Sequence, residues 1–172
     1  AGGVSEPIFL PLQIAVVTIS DTRNLDTDTS GALLVELLTT AGHQLAERRL
    51  IRDELLVIRE LFARLRDDAS VQVVIATGGT GITARDVTPE AIEPLVSKPI
   101  VGFGELFRSL SYAEIGASTI QSRASAALCD KTLFFLLPGS RAAVRLALER
   151  IVLPQLDRRT KPCNFAELMP RF

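Results

Sequence analysis

A chain of 172 residues has the length of one α/β domain, and its 47% apolar and 23% charged residues exclude a disordered or fibrous polypeptide. Nineteen Lys and Arg against twenty Asp and Glu leave a net charge of −1, so no global field gathers nucleic acid or anionic lipid. The apolar runs fall far short of the roughly 18–20 residues that cross a bilayer, and no basic region precedes an apolar one at the N-terminus, which predicts a cytoplasmic protein.

Residues 1–11 read as a disordered leader or cloning remnant, and residues 12–172 as a single domain. Residues 14–19 are apolar and rich in β-branched side chains, as in a strand buried on both faces. Thr29-Ser30 can cap a helix over residues 31–41, with Leu33, Leu34, Leu37 and Leu38 on one stripe and Gly42 as the stop. Residues 44–51 alternate only loosely and predict a more exposed strand. Asp53 can cap the next helix, whose Leu55, Ile58, Leu61, Phe62 and Leu65 recur at helical spacing. A second buried strand covers residues 71–76. Helices follow from Thr88-Pro89-Glu90 and over residues 104–111, then a third buried strand at 133–137 and a helix over 141–153. Beyond Pro154 the periodicity breaks. The alternation predicts a three-layer, doubly wound α/β fold: a mostly parallel sheet with helices on both faces.

Each buried strand is followed at once by small or polar residues: Ser20-Asp21-Thr22, Thr77-Gly78-Gly79-Thr80-Gly81 and Pro138-Gly139-Ser140. These loops belong on the carboxyl edge of the sheet, where ligands bind in open α/β folds. The three glycines after residue 77 free the backbone to present N–H groups to phosphate, although a plain strand-to-helix turn has the same composition. No Gly-x-x-x-x-Gly-Lys-Ser/Thr occurs, which excludes a P-loop. Gly79–Ala84 fits the spacing of the dinucleotide fingerprint. That motif requires a helix opening inside the loop and an acid about twenty residues on, whereas Pro89 delays the helix and only Glu105 falls in that window. Asp21, Asp53 and Asp86 follow three successive strands, so their carboxylates can share one cleft suited to Mg²⁺ and phosphates. Taken singly, Asp21 is also a turn residue, Asp53 an N-cap and Asp86 a partner of Arg85. Cys129 and Cys163 stand alone, as free thiols rather than zinc ligands, and the sole histidine, His43, reads as a satisfied turn residue.

The segments Ile19-Ser20-Asp21-Thr22-Arg23, Asp26–Gly31, Thr77–Gly81, Arg85-Asp86-Val87-Thr88-Pro89-Glu90, Gly102–Glu105 and Leu137–Ser140 resemble the MoaB/MogA family of molybdenum-cofactor biosynthesis proteins. The resemblance spans residues 12–168, and Asp26–Gly31 with the tail Arg159–Phe165 is similar to the MoaB branch. It implies a molybdopterin-binding domain that transfers the adenylyl group of ATP to molybdopterin with Mg²⁺, giving adenylated molybdopterin and pyrophosphate. A phosphate nucleophile is already anionic, so the absence of a catalytic Ser, Cys or His arrangement is consistent with it.

By the same resemblance, Asp53 and Asp86 match the family's two functional acids and would hold the metal and orient the reacting phosphates. Gly78, Gly79, Thr80 and Gly81 would donate to phosphate or pterin, with Ser20 and Asp21 bordering the cleft. Ser111 aligns with a serine near the pterin phosphate, while Arg85, Ser122 and Arg123 would add anion contacts. Pro138, Gly139 and Ser140 would line the nucleotide. The family further implies a homotrimer or homohexamer, with apolar surface from residues 99–110 or the tail, and handover to a molybdate-inserting protein. The competing readings are a non-catalytic molybdopterin-binding or scaffold protein of the same family and a dinucleotide-dependent oxidoreductase.

Overall fold

The computed structural model describes residues 6–172; residues 1–5 of the expected leader lie outside the described residues. In β1 (Gln13–Ile19) every position after the first is buried, because the strand is covered on both faces. Successive side chains point to opposite sides. Ile14 and Val16 pack with Leu33, Leu34 and Leu38, whereas Ala15, Val17 and Ile19 pack with Ile58, Phe62 and Leu65. The first set comes from α1 (Thr29–Thr40) and the second from α2 (Leu55–Asp67), so each face carries its own helical layer. β3 (Val73–Thr77) and β6 (Thr132–Leu137) are buried throughout for the same reason, and the edge strand β2 (Gln44–Ile51) is only half-buried.

The sheet has the order β2-β1-β3-β6-β5-β4, where β4 is Lys98–Pro99 and β5 is Ser125–Cys129. The first four strands are parallel; β5 runs antiparallel to β6, and β4 antiparallel to β5. The doubly wound, mostly parallel fold is therefore present. Register aligns the carboxyl ends of the parallel strands, with Ile19 beside Ile51, Thr18 beside Thr77 and Thr77 beside Leu137.

Local details depart from the sequence reading. Asp28, not Thr29 or Ser30, caps α1: its Oδ1 accepts the Gly31 N–H at 2.9 Å while Oδ2 accepts the Thr18 hydroxyl at 2.7 Å. Asp53 does not cap α2; Glu54 occupies that position without a side-chain cap bond, which leaves the Asp53 carboxylate uncommitted to the helix. α3 (Thr88–Ile92) starts in the expected Thr88-Pro89-Glu90 segment, with Val87 at the cap position, and α4 (Val101–Ile115) extends beyond residues 104–111 at both ends. Neither β4 nor β5 was legible. One has two residues, and the other, Ser125-Ala126-Ala127-Leu128-Cys129, has no β-branched side chain because it packs small residues beside Phe134 and Phe135 of β6.

The last long helix comprises α5 (Arg141–Ala147), a π-helical turn (Leu148–Val152) and α6 (Leu153–Gln155); the tail adds α7 (Phe165–Leu168), capped by Asn164. His43 is buried and half-satisfied: Nδ1 accepts the Leu12 N–H at 3.0 Å, and Nε2 has no partner among the described residues. Phe9 packs against the same ring at 4.9 Å.

Gly31 sits within the capping network, where a Cβ would lie 2.1 Å from Asp28 Oδ2 and 2.5 Å from Thr18 Oγ1. In an open helix Gly→Ala gains about 0.5–1 kcal/mol. Here Gly31→Ala must displace a buried carboxylate, and the expected effect is destabilisation by about 1–3 kcal/mol. Thermal unfolding is expected to shift down by about 2–12 °C; an upward shift would contradict the packing described.

Candidate active site

The aligned carboxyl ends deliver four loops to one rim: Ser20-Asp21-Thr22 after β1, Asp53 after β2, residues 78–87 after β3 and Pro138-Gly139-Ser140 after β6. Between them and α4 opens a cavity of about 610 Å³. Ser20 and Asp21 border it, as do Asp53, Gly78 through Gly81, Asp86, Ser111, Ser122 and all three residues of the last loop. Of the residues singled out from sequence, only Arg85 and Arg123 are absent from its lining.

The glycine loop follows from sterics. Gly78 adopts φ +107° and Gly79 φ +72°, left-handed conformations that favour glycine. A Cβ on Gly78 would come within 2.2 Å of the Ile19 carbonyl oxygen, and one on Gly79 within 2.3 Å of Thr88 Oγ1 and 3.0 Å of Asp53 Oδ1. Bare backbone here lets the acids approach the loop. The loop is tied down at its root: Thr88 donates its hydroxyl to Gly78 O at 2.9 Å and its N–H to Gly79 O at 3.1 Å. Thr77 links it to the neighbouring loop by donating to Pro138 O at 2.8 Å. Ser140 caps α5 by accepting the Ala143 N–H, and Ser30 donates to Gly139 O at 2.7 Å.

The carboxylates differ in environment. Asp21 is held below its ordinary value chiefly by hydrogen bonding from Arg85, and its other oxygen accepts the Asp53 N–H at 3.1 Å. Arg85 is therefore committed to Asp21. Burial pushes the Asp53 carboxyl up, and the charges of Asp21 and Asp86 push it further, with Arg85 offsetting part of the rise. For Asp86, burial opposes ionisation, but hydrogen bonds from the Thr83 hydroxyl (2.7 Å) and N–H (2.9 Å) outweigh it and the net shift is downward. Two acids on one cavity with oppositely displaced pKa values form a pattern found at functional sites.

A carboxylate whose ionisation is opposed by two others fits a divalent cation, which would reverse that opposition. Among the described residues no group of three or more His, Cys, Asp or Glu could hold a metal alone. Asp53 and Asp86 completed by substrate oxygens is the pattern Mg²⁺ takes. Cys129 is buried and its thiol is pushed up to about 12 by burial, which leaves it unreactive near neutrality.

The wall opposite the glycine loop was not anticipated as a whole. Phe107, Ser111 and Ile115 of α4 line it together with Ser118 and Gln121 of the following 3₁₀ turn (Gly116–Gln121). Its signal was the four-residue spacing Phe103, Phe107, Ser111 and Ile115, one face of a helix longer than residues 104–111.

Residues 15–158 match a protein family described as a probable molybdopterin binding domain. Molybdenum cofactor biosynthesis protein B of Escherichia coli (strain K12) is 46% identical over 157 residues, covering 91% of this chain and 92% of that protein. The protein of the same name from Bacillus cereus is 48% identical over 142 residues, covering 82% and 84%. A crystal structure of molybdenum cofactor biosynthesis protein B is similar at a TM-score of 0.84 and 45% identity, with 87% of this chain and 94% of that one covered. The tungsten cofactor synthesizing protein MoaB from Pyrococcus furiosus is similar at a TM-score of 0.71 and 36% identity, covering 83% and 91%.

The raised carboxyl of Asp53 makes a stability prediction for the ligand-free protein. A folded-state value above the unfolded one penalises folding when the group is ionised in both states, and the penalty vanishes below the ordinary value of 3.8. Asp53→Asn is therefore expected to raise the unfolding midpoint at pH 7 by about 1–3 °C. The gain should shrink as pH falls through the raised value; calorimetry at pH 7 and pH 3.5 measures it, and a lower midpoint at pH 7 would contradict the like-charge arrangement.

Proposed function

Because the chain belongs to the molybdopterin-binding-domain family of molybdenum-cofactor biosynthesis proteins, we propose that it transfers the adenylyl group of ATP to molybdopterin in a Mg²⁺-dependent reaction. A terminal phosphate oxygen of molybdopterin attacks the α-phosphorus of ATP, the bond from that phosphorus to the bridging oxygen breaks, and pyrophosphate leaves. The observation that carries this reading is the cavity where Asp53, Asp86 and the glycine loop converge beside a wall of mixed polar and apolar side chains. The nucleophile is anionic before it reaches the protein, so the demand is alignment of two polyanions and neutralisation of charge between them.

Asp53 and Asp86 would hold Mg²⁺, which when bound neutralises phosphate charge. Asp53 reaches this position through Asp21, which fixes its backbone and is itself held by Arg85. Gly79 through Gly81 would supply donors to a phosphate, whereas the Gly78 N–H is already given to Leu137 O; Ser111 of α4 and Ser122 beside the glycine loop would meet the pterin and its phosphate. Pro138, Gly139 and Ser140 would line the nucleotide, with the start of α5, capped by Ser140, beside them favouring negative charge. The reading includes assembly as a homotrimer or homohexamer, for which Val101 and Leu106 of α4 are exposed apolar surface within residues 99–110. It also includes handover of the product to a separate molybdate-inserting protein. Among the described residues no helix is long and apolar enough to cross a membrane.

The test is pyrophosphate release and formation of adenylated molybdopterin from ATP, molybdopterin and Mg²⁺. The wild-type protein is expected to be active, and Asp53→Ala and Asp86→Asn to lose about 10²–10³-fold in kcat. Pyrophosphate release by Asp86→Asn at the wild-type rate would remove that residue from the mechanism. Binding of molybdopterin by the wild-type protein with no pyrophosphate formed would replace a transferase by a binding or scaffold protein.

A further inference from the structure

Between its root at Thr88 and its tip, the loop of residues 81–86 crosses the rim with Ile82 through Arg85 exposed. Its internal tie is Asp86 itself, whose Oδ2 accepts from the Thr83 N–H and hydroxyl. Arg85 also reaches out of the bend to Asp21 from an exposed position, but that bond holds neither end of the bend, so Asp86 would still move with its backbone. The backbone carbonyls of Gly81 and Asp86 face inward, away from any helix or strand partner, and each needs a donor.

Both donors come from one side chain far along the sequence. Arg123 Nε donates to Gly81 O at 2.7 Å, and Nη2 donates to Asp86 O at 2.9 Å. Nη1 donates to Glu90 in the first turn of α3, forming an ion pair, and the Arg123 backbone N–H donates to Thr80 O at 2.8 Å. One rigid guanidinium plane thus spans the two ends of the bend and ties them to α3. Its bonds run to the loop and to Glu90, and it does not line the cavity. The arrangement suits a fixed fork of donors and not a point charge on a flexible stem.

We propose that Arg123, clamped by Glu90, is a positioning residue that holds the 81–86 bend so that Asp86 stays on the cavity wall it shares with Asp53. This rests on the transferase reading above for its kinetic consequence, though not for its geometry. Arg123 then acts on the reaction without touching either substrate, which differs from the anion contact its place in the sequence suggested. Glu90 neutralises the guanidinium and fixes its orientation, so the pair works as one strut. Misplacement of a reacting or metal-holding group by about 1 Å can cost on the order of 10²-fold in rate, so the strut bears chiefly on turnover and not on substrate affinity.

The experiment compares wild type, Arg123→Gln, Arg123→Lys and Glu90→Gln by steady-state kinetics, unfolding midpoint and amide hydrogen exchange. Arg123→Gln is expected to lose about 10–100-fold in kcat with the KM for molybdopterin changed less than about 3-fold. Exchange at residues 81–86 should quicken while β1 and β3 keep their protection. Arg123→Lys should rescue little, because it cannot reach both carbonyls at once, whereas Glu90→Gln keeps an acceptor for Nη1 and should retain most of the activity. Raised KM with intact kcat would make Arg123 a direct substrate contact and overturn the proposal. A lower midpoint with wild-type kcat in the folded protein would reduce it to scaffolding and overturn it equally. Should the wild-type protein release no pyrophosphate, the transferase reading fails alone, and exchange at residues 81–86 decides the strut: unchanged protection in Arg123→Gln would refute it.

Discussion

Parallel pairing of β2, β1, β3 and β6 in a register that brings their carboxyl ends level is the constraint on which the site depends. A strand end carries no chemistry of its own, but each loop begins where its strand stops. When Ile19, Ile51, Thr77 and Leu137 end near one rim, the residues that follow must share it. Burial on both faces enforces the register, since a slip of one residue would turn Ile14 and Val16 away from α1 and toward α2. The core thus acts on function through geometry, by bringing Asp21, Asp53 and Asp86 together from positions 32 and 33 residues apart in the chain.

The cost of that convergence is concentrated at the rim. Three carboxylates approach one another, and Asp53 is held against ionisation by burial and by the other two. Gly78 and Gly79 hold left-handed backbone, the first close against the Ile19 carbonyl and the second leaving room for Asp53. Such features persist only where surrounding structure over-determines them. Here that structure is visible as Thr88 at the loop root, Arg85 on Asp21, and Arg123 with Glu90 on the bend. Each uses side-chain donors to hold a backbone or carboxylate that would otherwise relax.

The rival dinucleotide reading fails on local structure. Its glycine spacing presumes a helix that opens within the loop and aims its N-terminus at a pyrophosphate. In this chain the residues after Gly81 form irregular backbone, and helical geometry begins only at Thr88, ahead of Pro89. The kinship with molybdenum-cofactor biosynthesis proteins rests on the sequence and the fold, and both set the chain apart from the dinucleotide-dependent oxidoreductases.

What could be read from the residues alone was whatever depends on local pattern. Continuous apolar runs identified three of the four parallel strands, looser alternation the fourth, and glycines with following polar residues marked the rim. The three acids were legible from their places just after successive strands, and the family resemblance added the roles of Asp53 and Asp86. Positions set by partners distant in sequence were illegible: β5, whose small side chains make sense only beside Phe134 and Phe135; the cap of α1, where Asp28 is chosen because Thr18 lies within reach; and Asp53, relieved of a capping role. Arg123 is the clearest case. A lone arginine after a serine has no distinguishing pattern, and its partners at Gly81, Asp86 and Glu90 lie 33 to 42 residues away. Sequence by itself determined which segments would be strands, helices and flexible turns, because those follow from side-chain periodicity and backbone freedom; only the tertiary structure decided which donors meet which acceptors, because hydrogen-bond partners are selected by distance in space.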